Sequence, residues 1–210
     1  SSDVCSSDLY KATNNWKKIT ETGEYSEPKY FFIFSGKPVI SSVKNNVVTW
    51  KKVAKATYYE VYRSTDKKNY ELVGTSSTVK YTDSEVVTGV TYYYKVRAVR
   101  DSNETYVYSG NSAVKSYKKA LATPTIASAK YNSETKQVEV AVKEAKEVSS
   151  GYEMFYEIQI STKKTKGFKN VTVDGNMGTY DLTKKGTYYI RVRTYHVYEG
   201  KKYYSAYSKV

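Results

Sequence analysis

The 210-residue chain has one cysteine, one histidine and three prolines. One cysteine closes no internal disulfide, and with a single histidine it makes no zinc site. A nucleophile–His–acid apparatus would have to run through His196 alone, which is expected to be a solvated residue of a loop. No apolar run approaches the roughly 18 residues of a membrane helix. Gly-rich phosphate loops and the H-E-x-x-H pattern are absent. Asp174-Gly175-Asn176 lacks the further carboxylates of a calcium loop and reads as a tight turn. The expectation is a segment with no catalytic residue, no metal and no cofactor, whatever domain a longer parent chain carries.

Tyrosine and positive charge are abundant. There are 25 Tyr against 5 Phe and 2 Trp, and Lys+Arg exceeds Asp+Glu by 34 to 21, a net +13. Residues 37–119 carry 15 basic and 7 acidic side chains and residues 120–210 carry 15 and 9, so the charge forms no single stripe. Much of it arrives as Lys-Lys pairs at turns and strand ends, where lysine discourages edge-to-edge pairing. With arginine scarce, nucleic acid is not an expected partner. A diffuse attraction to anionic cell-wall polymers is.

Helical periodicity is nearly absent. Short runs rich in Val, Thr and Tyr alternate with turn clusters, the signature of strands. From residue 37 they read KPVIS, NVVTWKKV, YYEVYRS, YELVGT, TVKYTD, VTYYYKVRAV and YSGNSAVKSY. Seven strands in about 80 residues is the spacing of a sandwich. The pattern returns from 123 as TPTIASAK, KQVEVAVKE, FYEIQIST, FKNVTV, TYDLT, GTYYIRVRTY and KYYSAYSKV. Tyr59-Glu60-Val61 recurs as Tyr156-Glu157-Ile158, Tyr92 to Arg97 as Tyr188 to Arg193, and Tyr108-Ser109 as Tyr204-Ser205. The second unit has a longer connection before its third strand, containing Glu147–Tyr152.

Residues 1–9 (SSDVCSSDL) back-translate to a sequence that resembles the adapter of a short-read sequencing library. On that reading Cys5 is foreign to the protein, and without Asp3 and Asp8 the net charge rises by two. Tyr10-Lys11-Ala12 and Tyr25-Ser26-Glu27-Pro28 match the last hairpin of the other units. The expected organisation is an adapter remnant at 1–9, a truncated hairpin at 10–35, and complete units at 36–119 and 122–210. Without its partner strands, the segment through Phe31, Phe32 and Phe34 is expected to pack poorly or to rest on the next unit.

These repeats resemble fibronectin type III domains as found in bacterial extracellular proteins. The motif is fuller in the first unit: Trp50 on the second strand, Tyr59–Ser64 on the third and Gly89–Ala98 on the sixth. Val142 stands where Trp50 would align, so the second core must be filled differently. The resemblance implies an all-β fold of tandem seven-stranded antiparallel sandwiches in a secreted or surface-attached bacterial protein. It also implies that strands three and six are neighbours in the three-stranded sheet. A true immunoglobulin domain would want a cysteine pair that is missing here.

By the period of two, Tyr92, Tyr94, Val96 and Ala98 face inward, and so do Tyr188, Ile190, Val192 and Thr194. Trp50, Tyr59, Tyr92, Tyr156 and Tyr188 are the expected structural core, with Tyr92 and Tyr188 at tyrosine corners. Outside, Glu60 and Tyr62 face Tyr93, Lys95 and Arg97, and Glu157 and Gln159 face Tyr189, Arg191 and Arg193. This face is either a ladder of cross-strand pairs or a ligand platform using Tyr62, Tyr93, Arg97, Tyr189 and Arg193. The first reading makes the chain a non-catalytic spacer or accessory module beside neighbouring domains. The alternative is an adhesion module for polysaccharide or a host surface protein. The loop between strands six and seven of the first unit lacks the Arg-Gly-Asp tripeptide that some animal relatives carry there, so integrin binding is not expected.

Overall fold

The computed structural model describes residues 31–102, 105–143, 145 and 151–210, and every regular element in them is a β-strand. The first sandwich contains β1 (Ile40–Lys44), β2 (Val47–Trp50), β3 (Tyr58–Ser64), β4 (Glu71–Ser76), β5 (Lys80–Thr82), β6 (Thr91–Ser102), β7 (Thr105–Tyr108) and β8 (Lys115–Lys118). The second contains β9 (Thr125–Asn132), β10 (Gln137–Lys143), β11 (Phe155–Ser161), β12 (Lys169–Asn170), β13 (Thr172–Asp174), β14 (Met177–Asp181), β15 (Tyr189–Tyr198) and β16 (Lys201–Tyr204). In the first, β1-β2-β5 faces a sheet in which β4, β3 and β6 are joined by β7 and β8, both paired to β6. In the second, β9-β10-β14-β13 faces β12-β11-β15-β16. All pairings are antiparallel, as the sequence predicts. One placement is corrected: strands three and six are neighbours, but in the larger sheet of the first sandwich, while the three-stranded sheet is β1-β2-β5.

Side-chain alternation sets the two faces. Along β6, Tyr92, Tyr94, Val96 and Ala98 are buried and the residues between them are partly exposed. They pack with Trp50, Tyr59 and Val61, and Trp50 meets Tyr59 edge-on at 5.3 Å. Both tyrosine corners form. The Tyr92 hydroxyl accepts from the Val87 amide at 3.1 Å, and Tyr188 donates to the Lys184 carbonyl at 2.8 Å. Tyr59 accepts from the Val53 amide. In the second core Val142 is buried in the position of Trp50. Bulk returns through Ile158, whose Cδ1 lies 2.7 Å from where a side chain on Gly178 would begin.

Two predicted strands divide. FKNVTV becomes β12 on β11 and β13 on β14, switching sheets at buried Val171. YSGNSAVKSY meets β7 only at Tyr108 and yields β8, so most of β7 lies ahead of the predicted strand. Between them, Ser109 and Ser112 replace the missing ladder with their own hydroxyls. Each amide donates to a carbonyl of β6 (Ala98, Val96), and each Oγ accepts from that residue's amide at 2.8 and 3.0 Å. Ser205 and Ser208 do the same for Thr194 and Val192. A hydroxyl here satisfies donors that a bulged strand would otherwise leave buried and unpaired. Tight turns follow their residues: Asn45-Asn46 joins β1 to β2 with both φ positive, and Gly175-Asn176 closes β13 on β14.

A buried ion pair braces the first sandwich. Asp83, 1% exposed, accepts from Arg63 through both oxygens at 2.8 and 2.9 Å and from the Tyr94 hydroxyl at 2.7 Å. The sequence does not reveal it, because Asp83 follows β5 while its partners lie on β3 and β6.

His196 also departs from expectation. It lies inside β15, not in a loop, and is 1% exposed. Its Nε2 is 2.6 Å from the Thr88 carbonyl of the first sandwich. A carbonyl only accepts, so Nε2 carries the proton. Nδ1 is buried and has no hydrogen-bond partner among the described residues. Tyr203 stacks on the ring at 5.7 Å and Tyr152 approaches at 5.4 Å. The strand pairing with β16 continues the sheet beyond the predicted loop and carries the imidazole into the contact.

At the other end of the first sandwich, Phe34 packs against the core, Phe32 meets it edge-on at 4.9 Å, and Arg100 covers Phe32 at 4.2 Å. Phe31 and Ile33 are exposed. The adapter and most of the truncated hairpin lie outside the described residues.

Replacing Asp83 with Ala leaves Arg63 buried without its carboxylate and Tyr94 without an acceptor. We expect a loss of about 3 kcal/mol in chemical denaturation, against about 1 kcal/mol or less for Glu85→Ala at the exposed rim of the same group.

Candidate functional site

The candidate residues meet on the outward faces of the larger sheets. In the first sandwich the register sets Glu60 opposite Arg97 and Tyr62 opposite Lys95. Glu60 is nearly buried and gathers two donors on one oxygen, the Tyr62 hydroxyl at 2.6 Å and the Arg97 guanidinium. Rings and cations then alternate across the strands. Lys95 lies over Tyr70 at 4.2 Å and over Tyr62 at 5.5 Å, and Arg97 lies over Tyr62 at 5.4 Å and over Tyr108 at 4.0 Å. Lys67 covers Tyr93 at 4.8 Å. A cation over a ring face is attracted by the ring quadrupole, the more so when partly desolvated. Burial, and then the bond to Glu60, push the Tyr62 phenol up to about 12.

The second sandwich repeats this with a denser stack. Glu157 faces Arg193 and Gln159 faces Arg191. Arg193 holds Glu157 at 2.8 Å, and the Tyr207 hydroxyl donates to the same oxygen at 2.7 Å. Burial alone would raise the Glu157 carboxyl, but the Arg193 and Tyr207 bonds outweigh it and the net direction is down. Burial and the bond to Glu157 push Tyr207 up. Phe168 and Tyr207 flank Arg191 at 4.1 and 3.8 Å, and Tyr207 and Tyr204 flank Arg193 at 4.5 and 3.7 Å.

Of the sequence candidates, Tyr62, Arg97 and Arg193 join these stacks, and Tyr93 lies under its own lysine. Tyr189 sits at the end of the row, half-buried opposite Ser161. Tyr70, Tyr108, Phe168, Tyr204 and Tyr207 were missed, since they come from loops and the last strand. The repeated Tyr-Ser-x-x-Ser at 108–112 and 204–208 was the available signal. It sets one tyrosine of each copy against the arginine of the sixth strand.

An open cleft of about 500 Å³ lies at one end of the second sandwich, between Glu153–Tyr156, Gly175-Asn176 and Tyr195. Phe155 stacks on Tyr195 at 5.3 Å, and Lys202 lies over Tyr195 at 4.5 Å. No group of three metal-ligating side chains occurs among the described residues. The histidine is committed to the contact between sandwiches and is not presented to a substrate.

By its own strand order and repeats, the chain is a tandem of fibronectin type III-like sandwiches. No protein-family profile matches it. A stretch of 60 residues is 45% identical to an amylopullulanase of Thermoanaerobacter thermohydrosulfuricus, covering 27% of this chain and 4% of that enzyme. Among solved structures, two chicken segments align. The contactin FN1–FN3 domains do so with a TM-score of 0.32 at 15% identity, over 95% of this chain and 74% of theirs. A tenascin segment of two fibronectin type III domains does so with a TM-score of 0.40 at 14% identity, over 83% of this chain and all of its own.

The stack makes a prediction at alkaline pH. A phenol raised in the folded state favours the neutral form there, so its contribution is whole below pH about 10. It is lost as pH rises through about 12. In tyrosine-labelled NMR titrations, the resonance absent from Tyr62→Phe should titrate near 12. Glu60→Gln should bring it only part of the way back, because burial is the larger cause.

Proposed function

We propose that this chain is a non-catalytic spacer in a bacterial secreted or cell-surface protein. Two units, 36–119 and 122–210, hold neighbouring domains at a set separation. The observation that carries this reading is the packed joint. Tyr152, Tyr198 and Tyr203 pack against the core of the first sandwich, and His196 donates to Thr88. The connection is tied at both ends: the Gly89 amide donates to the Lys119 carbonyl at 2.6 Å, and the Thr194 hydroxyl donates to the Ala122 carbonyl at 2.9 Å. Leu121 between them is buried. A linker bonded on both sides transmits orientation, whereas a free one does not.

The 45% identity to part of an amylopullulanase supports a parent protein that acts on polysaccharide outside the cell. The covered rings of Tyr62 and Tyr93 support a structural role for those tyrosines over a sugar-stacking one, since a ring face under a cation is not open to a sugar.

Gly89 is the point of attack for a test. Its φ is +86°, and a side chain there would overlap Leu121 and come within 3.0 Å of Tyr203 Cβ. Distances between spin labels at the outer ends of the two sandwiches should be narrowly distributed in the parent chain. Gly89→Val should broaden them and cost about 2 kcal/mol of stability, with both sandwiches still folded. A broad distribution in the unmodified chain would sink the spacer reading.

A further inference from the structure

We propose that Arg191 is a preorganised anion-binding point for a carboxylate-bearing polysaccharide, such as a polyuronate. Arg63, Arg97 and Arg193 each hold a carboxylate. Arg191 has no ion-pair partner among the described residues. It is nevertheless held in place. Phe168 and Tyr207 lie against its guanidinium at 4.1 and 3.8 Å, and Gln159 Oε1 accepts from Nε and Nη2 at 2.9 and 2.7 Å. A guanidinium has five N–H donors. Gln159 takes two, which leaves both Nη1 hydrogens and one on Nη2. Those on adjacent nitrogens form the end-on fork that matches a carboxylate's two oxygens.

The surroundings complete the site. Phe168 ends the loop from β11, which carries exposed Lys163, Lys164 and Lys166, with Lys169 just beyond. No Asp or Glu occurs from residue 161 to 173. The loop is pinned, because Ser161 Oγ donates to the Lys166 carbonyl at 2.6 Å and accepts from the Lys163 amide at 3.0 Å. One fixed fork beside four mobile point charges suits a polymer with a carboxylate on each residue. Stacked bases are a poorer fit: Tyr207 already carries two guanidinium groups and Phe168 one, and single-strand binding relies on open ring faces. The spacer reading does not depend on this site and survives its failure.

The test uses the whole chain and calorimetric titration with polygalacturonate at 0.15 M NaCl. Arg191→Gln, Gln159→Glu and Lys80→Gln each make the net charge more negative by one. Lys80 lies on the first sandwich and serves as the control. Gln159→Glu sets a carboxylate on the Nε side of Arg191 and neutralises its charge with the end-on fork still in place, at the cost of the amide's bonds to Glu157 and Asn170. We expect both second-sandwich variants to weaken binding about tenfold, the size of a charge-assisted hydrogen bond, and Lys80→Gln to change it less than twofold. Amylose, which is uncharged, should not bind at this site. Equal losses in all three variants would reduce the effect to a general field and overturn the proposal. Absence of polygalacturonate binding, or tighter binding of single-stranded DNA, would overturn it too.

Discussion

The period-two alternation of the sixth strand is the constraint from which most of the molecule follows. In β6 and β15 it commits Tyr92, Tyr94, Val96 and Ala98, or Ile190, Val192 and Thr194, to the core. The same step turns Lys95 and Arg97, or Arg191 and Arg193, outward. A slip of one residue would bury two cations and expose the core row, so the register has no competitor. The inward row determines what the facing sheet must supply, Trp50 in one sandwich and Val142 in the other, where Ile158 on the neighbouring strand adds bulk. The outward row determines what the neighbouring strand must supply. In both sandwiches that is a glutamate opposite the arginine, Glu60 or Glu157, with tyrosine hydroxyl support.

This constraint also explains what could be read in advance. Strand identity, the inward tyrosines and the tyrosine corners are local: each follows from alternation or from a turn a few residues away. The opposition of Glu60 to Arg97 was legible because two adjacent strands fix it. Asp83 was not, since its burial depends on Arg63 from β3 and Tyr94 from β6 converging under the edge of the other sheet. His196 was misplaced for a similar reason. The hairpin to β16 runs on past the point where a loop was expected, and the ring's surroundings come from a residue 108 positions earlier. The aromatic members of the stacks were missed because they belong to the last strand and to loops, whose side-chain directions the alternation rule does not reach.

The joint shows how little sequence is needed to orient two sandwiches. A glycine with positive φ lets Leu121 and Tyr203 close in, one imidazole donates one hydrogen bond, and three tyrosines cover the contact. Arg100 occupies in the first sandwich the place that His196 holds in the second, and it too reaches back to the preceding segment, at Phe32. The residue near the end of the sixth strand is thus the part of each unit that meets what comes before it. Histidine tolerates burial there as a hydrogen-bond donor. Arginine stays charged and leans on an aromatic face.

The tyrosine excess and the charge excess have a common explanation. With 34 basic side chains and 21 acidic ones, the sheet faces cannot be neutralised by carboxylates alone. Directly opposed cations would destabilise the sheets. Aromatic faces fill the gap: each accepts a cation without adding a carboxylate, and each holds the stem of a lysine or arginine flat against the sheet. Tyrosine suits this better than phenylalanine, because its hydroxyl can at the same time bond the glutamate of the third strand, as Tyr62 and Tyr207 do. A surface built this way stays positive while being ordered. An arginine such as Arg191 can then be rigid, partly desolvated and still electrically unsatisfied, which salt-bridge neutralisation would not allow.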